Sequence, residues 1–147
     1  MINVMKFNFI ILSFIILLLS CDPVDDQLVV KNESHQKAYF LKSPDRDLYT
    51  MNQRVVSEQG TGSTYLNFIN EIEADSTKHM LITGSGKAWQ RYINEACEDG
   101  KLRIYTFSID TLKKYSWKEV MENNYYLKKM EFSVDDLEKQ NWEIKLP

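Results

Sequence analysis

The longest apolar stretch of the chain lies near its beginning. Between residues 7 and 19 only two side chains are polar, and Lys6 is the only charged side chain before Cys21. A positive charge followed by a short apolar stretch is the pattern of a secretory signal. The stretch is shorter than the roughly 18–20 residues needed to span a bilayer. We therefore expect a cleaved signal peptide over residues 1–20 rather than a permanent transmembrane helix.

Beyond the signal, short runs of apolar, β-branched and aromatic residues alternate with polar stretches. Such runs predict strands, and they cover residues 28–32, 37–41, 54–56, 65–69, 80–83, 102–107, 125–130 and 142–146. The polar turn between the first two runs predicts that they form a hairpin. The last run alternates strictly, which predicts a strand with one buried and one solvated face.

The best helical period lies between Lys87 and Glu98. The apolar residues of this segment recur at helical spacing and form one stripe, namely Trp89, Tyr92, Ile93, Ala96 and Cys97. Ser85 is the predicted N-cap, and Gly100 suits the left-handed position that follows a helix.

Two further short helices are predicted by capping boxes that begin at Ser116 and Ser133, with Glu119 and Asp136 as the reciprocal acids. Strands without regular β-α-β spacing indicate an α+β domain. We expect a mainly antiparallel sheet, with a sandwich as one arrangement of it, and two or three short helices. A single globular domain is predicted over residues 28–147.

The end of the signal carries the most specific motif. Leu18-Leu19-Ser20-Cys21 resembles the lipobox of bacterial lipoproteins, which implies cleavage between Ser20 and Cys21 and attachment of diacylglycerol and a further acyl chain, such as palmitate, to Cys21. Two or more acyl chains anchor a protein stably. We expect this covalent lipid to hold the protein on a membrane, with residues 21–27 as a short acidic tether. The alternative is an ordinary secretory signal with an incidental cysteine.

Composition excludes some classes of function. The chain has 18 basic and 21 acidic residues and a net charge of −3, so bulk electrostatics do not favour nucleic-acid binding. Lipidation of Cys21 leaves Cys97 as the only cysteine, and one thiol forms no internal disulfide. We expect Cys97 to be an inert core residue, with a reactive thiol or an intermolecular bridge as the alternatives.

The candidate motifs for catalysis, cofactors and metals are weak. Gly84-Ser85-Gly86-Lys87 lacks the earlier glycine and the following Ser or Thr of a phosphate loop. The two histidines, His35 and His79, have no second metal ligand at helical or hairpin spacing. We therefore expect no cofactor, no metal site and no catalytic residue. The alternatives are an unrecognised enzyme site and a surface calcium site, for which the acidic candidates are Asp45-Arg46-Asp47 and Asp22 with Asp25-Asp26.

The aromatic residues divide into two predicted groups. Trp89, Trp117 and Trp142 lie at positions that predict burial. Tyr39, Tyr49 and Tyr65 are the rings we expect to be exposed, where they could stack on a glycan. Two Asp-Ser/Thr-X sequences place Ser76 and Thr111 as candidates for O-glycosylation of the type found in exported Bacteroidetes proteins.

Both ends of the mature chain resemble one family. The C-terminal third, with Ser116-Trp117-Lys118-Glu119-Val120, Phe132-Ser133-Val134-Asp135-Asp136-Leu137 and Asn141-Trp142-Glu143-Ile144, is similar to the ending of small uncharacterised lipoproteins of Bacteroidetes. Their N-termini are also similar: a lipidated cysteine, acidic residues, and a strand that ends in Asn with Ser two residues on, here Asn32 and Ser34. The resemblance implies no activity.

These observations together predict a lipid-anchored protein of the cell envelope that binds or scaffolds without catalysis. The expected partner is an envelope protein or a glycan. An immunity-type lipoprotein that neutralises a toxin, and an envelope enzyme with an unrecognised site, are the alternatives. Acidic residues close to Cys21 favour the outer membrane, without a choice between its periplasmic face and the cell surface.

Overall fold

The structure, a computed structural model, describes residues 23–48 and 69–147. These two ranges contain seven strands and four α-helices. The strands are β1 (Val24–Asn32), β2 (Ala38–Ser43), β3 (Asn70–Ile72), β4 (Ser76–Thr83), β5 (Leu102–Phe107), β6 (Lys128–Phe132) and β7 (Glu143–Leu146). The helices are α1 (Ala88–Ala96), α2 (Ile109–Lys114), α3 (Trp117–Glu122) and α4 (Val134–Lys139), and a 3-10 turn covers Glu98–Gly100.

The strands form two sheets. The three-stranded sheet has the order β4-β1-β7, with β1 antiparallel to β4 and parallel to β7. The four-stranded sheet has the order β3-β2-β5-β6 and is antiparallel throughout. The predicted α+β class with mainly antiparallel sheet is confirmed. The described residues contain four α-helices, one more than the expected maximum of three. The helix that was not predicted is α2, which is too short to show an apolar stripe in the sequence.

The predicted hairpin of the first two strands is wrong. β1 and β2 lie in different sheets, and each pairs with strands that come later in the chain. The turn between them is instead tied to β3, because the Asn32 side chain donates to the carbonyl oxygens of Ile72 and Glu73. Hydrophobic runs identify strands but do not specify which strands pair.

β1 begins at Val24, four residues before the predicted strand. Its pairing with β4 contains a bulge, so that Asp25 opposes Ile82 and Leu28 opposes Met80. Residues three apart in a regular strand point to opposite faces, whereas the extra residue of a bulge restores the same face. Asp25 and Leu28 are therefore both buried. The predicted tether consequently ends earlier, and Asp25 belongs to the folded domain.

The main core lies between the two sheets and α1. It is built from the inward side chains of strands in both sheets, together with Trp89 and Ile93 of α1 and Leu137 of α4. Cys97 and Trp142 belong to the same cluster, so their predicted burial is confirmed. Ala96, which shares the predicted helical stripe, is exposed.

A second core covers the other face of the four-stranded sheet. Here α2 and α3 pack Leu112 and Trp117 against Tyr105 and Phe107 of β5. All six residues of β5 are buried because this strand is covered on both faces. That double coverage accounts for apolar side chains on both faces of β5, and it also buries the polar residues Arg103 and Thr106.

The helix ends follow the capping predictions in two of three cases. Ser116 and Ser133 form complete capping boxes with Glu119 and Asp136, as predicted. The predicted N-cap Ser85 is wrong, because α1 begins after Lys87, which has a left-handed backbone (φ 67°) and makes no side-chain cap.

Candidate functional site

A cleft in the described part of the chain lies beyond the end of β1. It has a volume of about 540 Å³ and is lined by residues 34–39 on one side and by residues 106–110 on the other, with Leu127 and residues 146–147 completing it. We call this space the β1–β2 cleft. Concave sites with an apolar lining and a few polar groups are the usual form of ligand sites.

Asn32 fixes the wall of this cleft. The side chain is fully buried, and its Nδ2 group donates to the carbonyl oxygens of Gln36 at 2.7 Å and Glu73 at 2.9 Å. Its Oδ1 atom accepts hydrogen bonds from the backbone N–H and the hydroxyl of Ser34, at 3.1 and 2.7 Å. One amide therefore closes the turn and ties it to the end of β3. Asn32 and Ser34, the pair noted in the resemblance to the lipoprotein family, therefore hold this turn in place by hydrogen bonds.

The charged side chains at the rim of the cleft are Lys37 and His35, each beside an acid, and Asp110, which forms no ion pair within the described residues. Lys37 forms an ion pair with Glu73 at 2.6 Å, and the hydrogen bond from this pair raises the lysine pKa. His35 lies 3.2 Å from Asp75 through its Nδ1 atom. Exposed pairs of this kind contribute little to stability, but they leave the rim without a strong net charge. A ligand with both apolar and polar groups suits this rim better than a highly charged one.

Apolar side chains supply the contact area of the cleft. Leu127 is 68% exposed, and its backbone N–H donates to the Thr106 carbonyl oxygen at 2.8 Å. Tyr39 is half-buried against the second core, so the expectation of an exposed ring is only partly met. Tyr49 and Tyr65 lie outside the described residues.

A second cleft of about 470 Å³ separates β6 from β7. Met130 and Phe132 contribute apolar surface, and the lining also contains acidic and basic side chains. The Nε2 atom of Gln140, at its edge, is buried without a hydrogen-bond partner. β6 and β7 each pair with one described strand only.

The Gly84–Lys87 segment leads into α1 but does not form a phosphate site. The Asp25 Oδ2 atom accepts the backbone N–H groups of Ala88 at 2.8 Å and Trp89 at 3.3 Å. The amino end of the helix is therefore already occupied by a carboxylate. A Cβ atom at Gly84 would lie 2.9 Å from the Ala88 side chain, which explains the glycine there.

Cys97 lies in an environment that suppresses thiol reactivity. The residue is buried, and burial raises the pKa of its thiol to about 11. Because the thiolate is the nucleophile, such a thiol is a poor one at neutral pH. Lys42 lies close by, with its ammonium 4.8 Å from the Trp89 ring centroid, and its burial lowers its pKa.

The most extensive charged network surrounds Arg103. Its side chain is 0% exposed and forms ion pairs with Asp99 and with Glu131, the latter at 3.1 Å. Its other donors bind three backbone carbonyl oxygens, those of Pro44, Glu98 and Lys101. Arg46 also binds Asp99, at 2.9 Å. With its donors used in this way, Arg103 joins the segment after β2 to the turn before β5 and has a structural role.

The remaining predicted site residues lie apart from one another. Ser76 begins β4, where its hydroxyl donates to the Glu73 carbonyl oxygen at 2.7 Å. Thr111 lies in the first turn of α2, and its Oγ1 atom is 3.1 Å from the Ser108 hydroxyl. Both are half-buried. Ser20 and Cys21 lie outside the described residues.

The histidines do not come together. His35 lies on the β1–β2 cleft, whereas His79 contacts the Asp26 carbonyl oxygen at the other end of the three-stranded sheet. Within residues 23–48 and 69–147, no group of three or more His, Cys, Asp or Glu side chains is placed to hold a metal ion. Over the same two ranges, none of the helices combines the length and apolar character needed to cross a membrane.

Sequence reasoning did not find the β1–β2 cleft. Its two walls are contributed by segments about 70 residues apart in the sequence. The available signal was the polar Asn-x-Ser turn after a strand, which predicted a turn but not its position against β5.

No protein-family model matches the chain, and comparisons with curated proteins and with solved structures found no match either.

Proposed function

We propose that the protein is a lipid-anchored binding module of the bacterial cell envelope, held by acyl chains on Cys21. The lipobox-like sequence Leu18–Cys21 supports the anchor, and the β1–β2 cleft is the proposed binding site. The outer membrane is the favoured location. The proposed partner is an envelope protein or a glycan that presents apolar and polar groups together.

The position of the cleft along β1 is the observation that carries this proposal. The strand begins at Val24, three residues after Cys21, and ends at Asn32, beside the cleft. Nine residues of strand extend for roughly 25 Å. The anchor and the cleft therefore lie at opposite ends of one strand, which leaves the cleft accessible to a partner while the lipid is in the bilayer.

The chemistry of the cleft supports binding rather than catalysis. The Ser108 hydroxyl, on its wall, caps α2 by accepting the backbone N–H of Thr111 at 3.0 Å. His35 is exposed and pairs with Asp75, so an acid orients the imidazole, and within the described residues no hydroxyl or thiol forms a hydrogen bond with it. Leu127 and Tyr39 instead offer surface for contact.

The test is capture of a partner from detergent-solubilised membranes of the source bacterium. The full-length protein is compared with Leu127→Asp, which places a charge in the cleft, and with Asn94→Asp, which adds the same charge at an exposed position of α1. We expect a stoichiometric partner with wild type and Asn94→Asp and its loss with Leu127→Asp. Equal recovery with all three proteins would exclude the cleft as the binding site.

A further inference from the structure

The exposed large apolar side chains of the described chain fall at two ends of the molecule. Leu127 and Tyr125 precede β6, on the side of the β1–β2 cleft, whereas Val24 (55% exposed) and Leu81 (62% exposed) lie near the start of β1. Clustered exposed apolar residues indicate an interaction surface, whereas isolated ones are common on any protein. The second pair needs its own explanation, because it is remote from the cleft.

Val24 and Leu81 share the outward face of the three-stranded sheet. Val24 is the register partner of Thr83, and paired residues point to the same side of a sheet. Leu81 lies two residues from Thr83 and therefore on that side as well. The inward residues of β4 next to them, Met80 and Ile82, pack into the main core instead.

The chain leaves this end of the molecule very close to the proposed lipid. Val24 is the third residue after Cys21, and the two Cα atoms can be no more than about 10 Å apart even in a fully extended chain. The polar headgroup layer on one side of a bilayer is roughly 5–7 Å deep. With acyl chains on Cys21 in the hydrocarbon, the start of β1 can therefore be no more than a few ångströms above the headgroups.

Basic side chains lie beside the same end of β1. Lys87 and Arg91 are exposed, and in the two described ranges neither forms an ion pair. Arg91 donates to the Ser85 carbonyl oxygen at 3.1 Å, which holds it over the loop before α1. Among the described residues Asp26 is an exposed acid at this end, and the sequence adds Asp22 directly after Cys21. The mixture of apolar and basic groups suits a lipid surface, where phosphates lie above hydrocarbon.

From this juxtaposition we infer that Val24, Leu81, Lys87 and Arg91 form a bilayer contact that sets the orientation of the lipidated protein. The outward end of β1 and β4 lies on the headgroups, and the β1–β2 cleft faces away from the membrane. This inference rests on the proposed lipid anchor. A second protein seated on the same surface is the competing occupant.

The experiment uses the lipidated full chain in vesicles of phosphatidylethanolamine and phosphatidylglycerol. An environment-sensitive fluorophore is attached at Leu81→Cys or, as the matched control, at Leu127→Cys, and a lipid with a headgroup-level spin label serves as the quencher. The buried Cys97 thiol, with its pKa of about 11, reacts slowly, and unmutated protein measures that background. Val24→Cys provides a second probe of the same surface.

We expect blue-shifted emission and at least several-fold stronger quenching at positions 81 and 24 than at position 127. Weak and equal quenching at all three positions, with the protein still bound to the vesicles, overturns the orientation but leaves the anchor intact. Strong quenching at position 127 alone also overturns it. A mass for Cys21 without lipid refutes the proposed function, and the bilayer contact fails with it.

Discussion

The carboxylate of Asp25, in strand β1, caps helix α1, with its Oδ2 atom 2.8 Å from the backbone nitrogen of Ala88. The helix has no side-chain cap of its own, because Lys87 at the N-cap position has a left-handed backbone. One acidic residue thus joins the first strand to the amino end of the longest described helix. In the sequence the same residue looks like part of an acidic tether.

Replacing Asp25 by Ala should destabilise the domain by about 1–2 kcal/mol, the usual cost of removing a helix cap. Asp26→Ala is the matched control, since Asp26 is exposed and adjacent, and its effect should stay within about 0.5 kcal/mol. Urea unfolding of both variants measures the difference. Equal effects of the two substitutions would contradict the capping role of Asp25.

Asn32→Ala should destabilise the domain by about 1–3 kcal/mol, because the buried carbonyl groups of the turn and of β3 lose their donor. Ser34→Ala removes a hydroxyl at the more exposed edge of the network and should cost less. The ratio of the two effects is measured by thermal or urea unfolding. A neutral Asn32→Ala variant would show that this amide does not hold the wall of the cleft.

Arg103→Met should destabilise the domain by about 3 kcal/mol at neutral pH. This value is at the lower end of the usual cost of breaking a buried ion pair, because the acidic partners Asp99 and Glu131 are partly exposed to solvent. Arg91→Met is the control, as an exposed arginine without an acidic partner in the described ranges. Denaturant titrations at pH 7 compare the two. An Arg103→Met variant as stable as Arg91→Met would contradict the structural role assigned to the network.

The same network makes a prediction about acid. Hydrogen bonds from Arg103 lower the pKa of Asp99 below its ordinary value of 3.8. The pKa of Glu131 is lowered below its ordinary value of 4.5, mainly by Lys129 and to a smaller extent by Arg103. A lowered folded-state pKa stabilises the protein above the unfolded pKa, and this stabilisation is lost as the pH falls through the folded value. Unfolding measured from pH 6 to pH 2 should therefore show a shallower acid loss in Arg103→Met than in wild type. Parallel curves would be inconsistent with the assigned ion pairs.

The Cys97 thiol should react slowly with an aromatic disulfide reagent in the folded protein at pH 8. Burial and a pKa of about 11 leave only a small thiolate fraction at that pH. In urea the pKa should return toward its ordinary value and the reaction should become fast. Absorbance of the released thiol follows both rates, and a fast native reaction would instead support the reactive-thiol alternative.

Local patterns in the sequence were sufficient for many elements. The capping boxes at Ser116 and Ser133, the strand at residues 102–107 and the burial of Trp89 each depend on residues close in the chain, and all are confirmed. Such features arise from spacing and local hydrogen bonding. They can therefore be read before any tertiary contact is known.

Features that depend on distant residues were not predictable in this way. The cap of α1 comes from Asp25, 63 positions before Ala88, and a bulge directs it inward. Asn32 binds the Glu73 carbonyl oxygen 41 positions further along the chain, and β1 and β2 pair with later strands instead of with each other. The β1–β2 cleft likewise forms only when two sheets meet, so hydrophobic periodicity contains no signal for it.

In the proposed function, the lipid anchor sets which end of β1 faces the bilayer and therefore what the cleft can reach. Its most direct test is the intact mass of the mature protein, extracted from membranes of the source bacterium. The account predicts a chain that begins at Cys21 and carries the added mass of diacylglycerol and a further acyl chain. A mature chain with an unmodified Cys21, or one cut at another residue, would contradict the lipid-anchored function.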